Sequence, residues 1–289
     1  MSKEQKEKAG IVTYIGKDSI HCPVCNTMFH REELVSGGGR LIAGNLTDEL
    51  RRLYEPSAKY GEIFPQIYSI TVCPSCLYSS MQGDFLLISE STAKVLYQTM
   101  DNRFKSVKRL FPILDFSKNR NLTEGAASYY LAMLCYDHFE KKLSPTIKQG
   151  ICALRAAWLF DELHKKIPTE NYDYVKKLFY QKALFLYKQA IYLEQTGKET
   201  IASVKSFGPD IDKNYGYDGA LYLSGLLEFK YGQRTDEQKR IETLEADKRS
   251  IAKIFGLGKF SKSKPGPLLE IARELYDSIR TELNDAEEE

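Results

Sequence analysis

At 289 residues, 43% hydrophobic and 28% charged, the chain has the length of about two domains and enough apolar residues for a sizeable core. A formal net charge of +2 excludes a strong global field toward nucleic acid or anionic membrane. No run approaches the roughly 18 apolar residues of a membrane-spanning helix, and the polar start, MSKEQKEKAG, lacks an apolar signal region. A reducing cytoplasmic setting is therefore expected.

Residues 1–10 read as a flexible leader and 11–88 as a small β-containing module; together, residues 1–88 carry 9 Lys/Arg against 10 Asp/Glu. In that module IVTYI and SIHC are β-prone runs, split by Gly16-Lys17-Asp18 as a turn signal. Gly37-Gly38-Gly39-Arg40 reads as a flexible loop. Thr47 is placed to cap a short helix through Tyr54, with Pro56 as its stop. Ile67 to Val72 is β-branched and aromatic, which predicts a strand.

Residues 89–121 form a basic connector with 7 Lys/Arg against 3 Asp/Glu. One helix is expected over 91–111, with Leu96, Met100, Phe104, Val107 and Phe111 on one face and Lys94, Arg103, Lys105, Lys108 and Arg109 as its charges. From 122 to 284 the periodicity predicts an all-α array. Its helices fall near 124–141, from Ser144-Pro145 onward, and over 170–196, 217–231 and 235–255, with a last one after Pro265-Gly266-Pro267. A loop is expected from Phe207 to Gly216, and an acidic tail over 285–289. Short connections predict stacked antiparallel hairpins. Small residues such as Ala126, Ala132, Ala183, Ser224 and Gly225 would let the helices approach as in tetratricopeptide (TPR) arrays. No strict 34-residue repeat is visible, so an irregular helical bundle stays open.

The chemistry is concentrated in two knuckles, Cys22-Pro23-Val24-Cys25 and Cys73-Pro74-Ser75-Cys76. Two Cys-x-x-Cys pairs supply the four corners of one tetrahedral Zn²⁺ site, with sulfurs about 2.3 Å from the metal. The 47 residues between the pairs exceed an ordinary ribbon, but loop closure grows costlier only slowly with length. His21 and His30 flank the first knuckle, and either would complete a Cys₃His alternative. Four cysteines make a closed structural site, and such a small ribbon would depend on its metal to fold, apart from the helices. The residue after a knuckle tends to be Gly, because the chain turns there with positive φ. Asn26 suits that position and Leu77 does not, so the second knuckle either runs into a helix or holds strain.

These knuckles, the strand before the second, and the following Leu77-Tyr78 and Asp84-Phe85 resemble an uncharacterised bacterial family, domain of unknown function 2225. The resemblance extends loosely through Ala272-Arg273-Glu274-Leu275-Tyr276-Asp277, and the Gly-rich 36–44 segment is similar to the spirochaete version. It implies a split zinc ribbon followed by TPR-like helices, with Cys22, Cys25, Cys73 and Cys76 as metal ligands. It implies no catalytic activity.

Other motifs have plainer readings. The Gly-rich loop lacks the Lys-Ser/Thr of a phosphate cradle. A second matching knuckle is unexplained by thioredoxin-type redox chemistry. His138 and His164 have no metal-spaced partner, and Cys135 and Cys152 read as small buried hydrophobes. With 19 Tyr and 14 Phe, the residues around Tyr129-Tyr130, Tyr172-Tyr174 and Tyr215-Tyr217 exceed one core stripe. The sequence thus points first to a zinc-stabilised adaptor that binds a protein or peptide through its helical array. A nucleic-acid-associated protein using the basic connector is the alternative, disfavoured by the acidic ribbon. A metal-dependent or redox enzyme is third.

Overall fold

Three antiparallel β-hairpins precede eight α-helices in the computed structural model, which describes residues 12–201, 204, 215–255 and 265–288. The expected leader and most of the expected 207–216 loop lie outside the described residues. Strands β1 (Thr13–His21) and β2 (Met28–Leu34) form the first hairpin, β3 (Ile42–Leu46) and β4 (Arg52–Glu55) the second, and β5 (Ile70–Val72) and β6 (Ser79–Met81) the third. The architecture is mainly α with an N-terminal β region, as the sequence predicts.

Three local expectations are corrected. The strand predicted over Ile67 to Val72 is confined to Ile70–Val72, because Pro65–Tyr68 form a 3₁₀ turn. Gly16-Lys17-Asp18 is a bulge inside β1, not a turn: the pairing steps from Ile15↔Glu32 to Ser19↔His30, so three residues face Arg31 alone. Residues 47–54 are not a helix. Thr47 instead closes a hairpin tip, where its Oγ1 accepts from the Arg51 amide (3.2 Å) and its carbonyl from the Leu50 amide (3.0 Å). The hydroxyl that would cap a helix serves a turn equally well. The Gly37–Gly39 run adopts φ of 88°, 58° and 73°, as only glycine does without cost, and leads into a strand rather than a helix.

The connector is two helices, α1 (Glu90–Gln98) and α2 (Met100–Leu110), rather than one. They part at Thr99, whose hydroxyl donates to the Val95 carbonyl at 3.0 Å and competes with the helical ladder. Six helices follow: α3 (Leu122–Tyr136), α4 (Pro145–Lys166), α5 (Tyr172–Gln195), α6 (Gly216–Tyr231), α7 (Glu237–Phe255) and α8 (Gly266–Glu288), which takes the acidic 285–288 segment into its last turn. An Asn121/Glu124 capping box starts α3, and Pro145 occupies the first turn of α4. Each of α3 to α8 packs against the next.

The ribbon and helices share one apolar core, running from Cys22, Ile70 and Tyr78 through α3 and α4 to Leu283. The ribbon thus leans on the helical core rather than enclosing a separate one. Gly125 shows how close the contact is: a Cβ there would lie 2.5 Å from the Ile67 side chain. Without it, α3 seats against the 3₁₀ turn Pro65–Tyr68, and Tyr129 Oη donates to the Gln66 carbonyl (2.8 Å).

Candidate metal centre

Each knuckle is the loop that closes a hairpin. Cys22–Thr27 joins β1 to β2 and Cys73–Tyr78 joins β5 to β6. Their backbones match bond for bond. The Cys22 amide donates to the Thr27 carbonyl (3.0 Å) and the Asn26 amide to the Cys22 carbonyl (2.8 Å). In the second, the Cys73 amide donates to the Tyr78 carbonyl (2.9 Å) and the Leu77 amide to the Cys73 carbonyl (3.0 Å). Asn26 (φ 59°) and Leu77 (φ 56°) occupy the same left-handed position. The second knuckle does not run into a helix; it repeats the first, with a branched-chain residue at the strained position.

The two loops face each other. Cys22 Sγ lies 3.6 Å from Cys76 Sγ, Cys25 Sγ lies 3.6 Å from Cys73 Sγ, and all four sulfurs fall within 4.8 Å of one another. A tetrahedron with about 2.3 Å metal–sulfur bonds has edges of about 3.8 Å, so the set can hold a metal ion. Cys22, Cys73 and Cys76 are buried and Cys25 is half-buried. Crowding couples their protons. Hydrogen bonds from Cys22 and Cys76 pull the Cys73 thiol well down, while contacts with Cys22 and Cys73, together with burial, push Cys76 far up. A divalent cation would displace those protons and favour four thiolates.

Neither neighbouring histidine joins the cluster, so the Cys₃His alternative finds no support. His21 is exposed, and His30 Nδ1 sits 2.9 Å from the Gly16 carbonyl, bracing the β1 bulge. Two cavities flank the knuckles, one of about 170 Å³ beside Val72, Pro74 and Arg120, the other of about 380 Å³ beside Leu77, Phe104 and Phe111. No cysteine lines either, so neither opens onto the sulfurs.

Sequence reasoning missed what clamps the second knuckle. Arg103, one of the charges of the basic connector, is 3% exposed. Its guanidinium donates to the Cys76 carbonyl (3.0 Å), the Leu96 carbonyl (2.7 Å) and Thr99 Oγ1 (3.1 Å). Asp84 receives Tyr136 Oη (2.6 Å) and pairs with Lys148 (2.7 Å), tying the ribbon to α3 and α4. Tyr78 packs on Phe85 in a tilted pair with ring centres 4.6 Å apart, and Cys135 Sγ lies 3.4 Å from the Ser79 amide. Asp84 of the Asp84-Phe85 motif thus helps dock the ribbon on the helices, with Tyr78 and Phe85 packed against each other beside it.

The remaining candidates separate by exposure. Tyr129 is fully buried, Tyr130, Tyr172, Tyr215 and Tyr217 are half-buried, and only Tyr174 of that set is exposed. Lys94, Lys105, Lys108 and Arg109 remain on the surface. Cys152 is buried, as expected, and burial raises its thiol to about 12. Among the described residues, no helix is long and apolar enough to cross a membrane.

Fold and site together define a mainly α protein whose N-terminal β region carries a four-cysteine cluster able to hold a metal ion. The chain belongs to the family described as "uncharacterized protein conserved in bacteria (DUF2225)", which matches residues 15–279. It is 46% identical over 273 residues to an uncharacterized protein of Borreliella burgdorferi, covering 94% of this chain and 98% of that protein, which fits a spirochaete-type member. No solved structure matches it.

Proposed function

We propose that the protein is a cytoplasmic, zinc-stabilised adaptor: one structural Zn²⁺ held by Cys22, Cys25, Cys73 and Cys76, and a TPR-like helical body that binds a protein or peptide partner. The four buried or half-buried sulfurs support the first half, because a site filled by four protein ligands leaves no position for substrate. The observation that carries the second half is the outer face of α5. Tyr174, Leu178, Phe185 and Tyr192 recur at spacings of four and seven, on one side of the helix, and are 61%, 44%, 60% and 53% exposed. Aromatic groups in such a row are typical anchors of protein recognition.

Elemental analysis is expected to give one zinc per chain, and X-ray absorption an all-sulfur shell; oxygen ligands would make the site open and the structural reading wrong. Tyr174→Ala, Phe185→Ala and Tyr192→Ala are expected to leave melting unchanged while costing a captured partner about 2 kcal/mol at a true anchor, roughly thirtyfold. Salt-sensitive nucleic acid in the capture, lost on mutating Lys105, Lys108 and Arg109, would favour the nucleic-acid reading instead.

A further inference from the structure

The second hairpin stands apart from the other two. No residue in strands β3 and β4 is buried, yet Glu49, Leu50 and Arg51 at the tip are 8%, 1% and 8% exposed. The tip plugs into a cage built from three helices. Glu49 Oε2 accepts from Trp158 Nε1 of α4 (2.5 Å) and Tyr180 Oη of α5 (2.9 Å), and its Oε1 from Lys230 Nζ (3.3 Å) and Tyr231 Oη (3.4 Å) of α6. The Tyr180 and Tyr231 rings stack, with centres 4.1 Å apart, as one wall. Lys230 also pairs with Asp48 (2.7 Å), and Tyr222 Oη donates to the Asp48 carbonyl (2.7 Å). Arg51 reaches Glu162 (2.9 Å) and lies over the Trp158 ring. Leu50 holds the turn at φ 60°, in the left-handed region that disfavours its side chain.

Four donors converging on one carboxylate form a receptor rather than a simple core contact. An apolar tip against an apolar wall would fill the same space without desolvating a carboxylate and its donors, so a buried Glu in a polar cage is a poor device for stability alone. It suits a contact that must be selective and reversible.

We infer that the Trp158–Tyr180–Lys230–Tyr231 cage is a recognition site for an acidic tight turn of a partner protein, filled in this structure by the chain's own β3–β4 tip. The inference rests on reading the helical body as a recognition surface, and it names both the ligand chemistry and the gate. The tethered tip presents its carboxylate at the high effective concentration of an intramolecular ligand, so an external turn binds well only when the hairpin lifts. The arms bury no side chain of their own and are entered through glycines 37–39, while buried Tyr60 and Ile63 mark where the chain is anchored again beyond β4.

The probe is a fluorescein-labelled peptide of residues 42–55, titrated by anisotropy into two full-length chains: the natural one, and one with Thr47–Arg51 replaced by a Gly-Ser linker of equal length. Binding to the linker chain at least tenfold tighter than to the natural chain is expected. A loss of at least tenfold is expected with the Glu49→Gln peptide or with Trp158→Phe in the linker chain. A folded linker chain that ignores the peptide, or takes the Glu49→Gln form equally well, overturns the cage. So does a natural chain that is a dimer dissolved by Glu49→Ala, since the occupant would then be a second copy's tip. Should the linker chain not fold, amide exchange on the natural chain decides. Leu50 and Arg51 must exchange faster than α4; exchange only with global unfolding means that the tip never lifts. A partner captured through the α5 face with no peptide binding here would sink this inference and leave the adaptor reading standing.

Discussion

The two knuckles have the same backbone and opposite surroundings. The first closes a hairpin whose strands are largely exposed, and its left-handed residue, Asn26, faces solvent. The second closes a hairpin in which Ile70, Thr71, Val72, Ser79 and Ser80 are all buried, and its left-handed residue, Leu77, is 6% exposed. The turn geometry dictates a positive φ in both; the surroundings decide which residue adopts it. Where water is the neighbour, a short polar side chain that tolerates αL suffices. Where the core is the neighbour, about 1.5–3 kcal/mol from burying Leu offsets the roughly 1–2 kcal/mol of αL strain. One half of the four-cysteine cluster therefore sits on a largely exposed hairpin and the other is part of the helical core.

The strongest way to break this comparison is to remove one ligand from each side. Cys25→Ser and Cys76→Ser should both lose the metal, at a cost on the order of 5 kcal/mol. They should differ in where protection is lost. Hydrogen exchange in Cys25→Ser should rise first in β1 and β2, whereas Cys76→Ser should also raise it in α3, where Tyr136 meets Asp84 and the Met81 amide. Equal, purely ribbon-confined exchange in both variants would show that the second knuckle is not energetically part of the helical core.

Next in size is the clamp. Arg103→Met keeps the stem of the side chain and deletes three donors, leaving the Cys76 carbonyl and its neighbours in a buried setting. A loss of about 2–3 kcal/mol is expected by denaturant titration, with metal content retained but chelator release faster. Arg120→Met, which removes donors to the Ile67 and Ile70 carbonyls, should weaken the same half of the ribbon by a similar route. Unchanged stability in Arg103→Met would mean that water replaces the guanidinium and that the knuckle is less enclosed than its burial indicates.

Why some of this was readable in the sequence follows from range. Ligand spacing, Pro at a first helical turn and the apolar periods of α3 to α6 are local, so the four sulfurs and the helical class could be read directly. The Gly16–Asp18 bulge and the Thr47 turn use the same residue types as the turn and the cap they were read as, and only the partner strand decides between those outcomes. Arg103 lies seven residues from Leu96, beside the apolar stripe, and that position was its one local signal. Glu49 gave none: its partners are 109 to 182 residues away in the chain. Buried charges are placed by tertiary contacts, so a count of surface charge by segment misassigns them.

The smallest effect is also the sharpest test, because one substitution is made at equivalent positions. Asn26→Gly should change stability by no more than about 0.5 kcal/mol: glycine relieves a mild αL cost but loses more entropy on folding. Leu77→Gly relieves a larger strain yet forfeits a buried side chain, so a net loss of about 1–2 kcal/mol is expected, a few degrees in melting temperature. Metal content should be unchanged in both, since the sulfurs and the turn hydrogen bonds remain. If Leu77→Gly proved stabilising, strain would outweigh burial at that site. The second knuckle would then hold its leucine for something other than stability, and contact with a partner through the adjacent groove of Phe104, Phe111 and Ile113 would become the reason to examine.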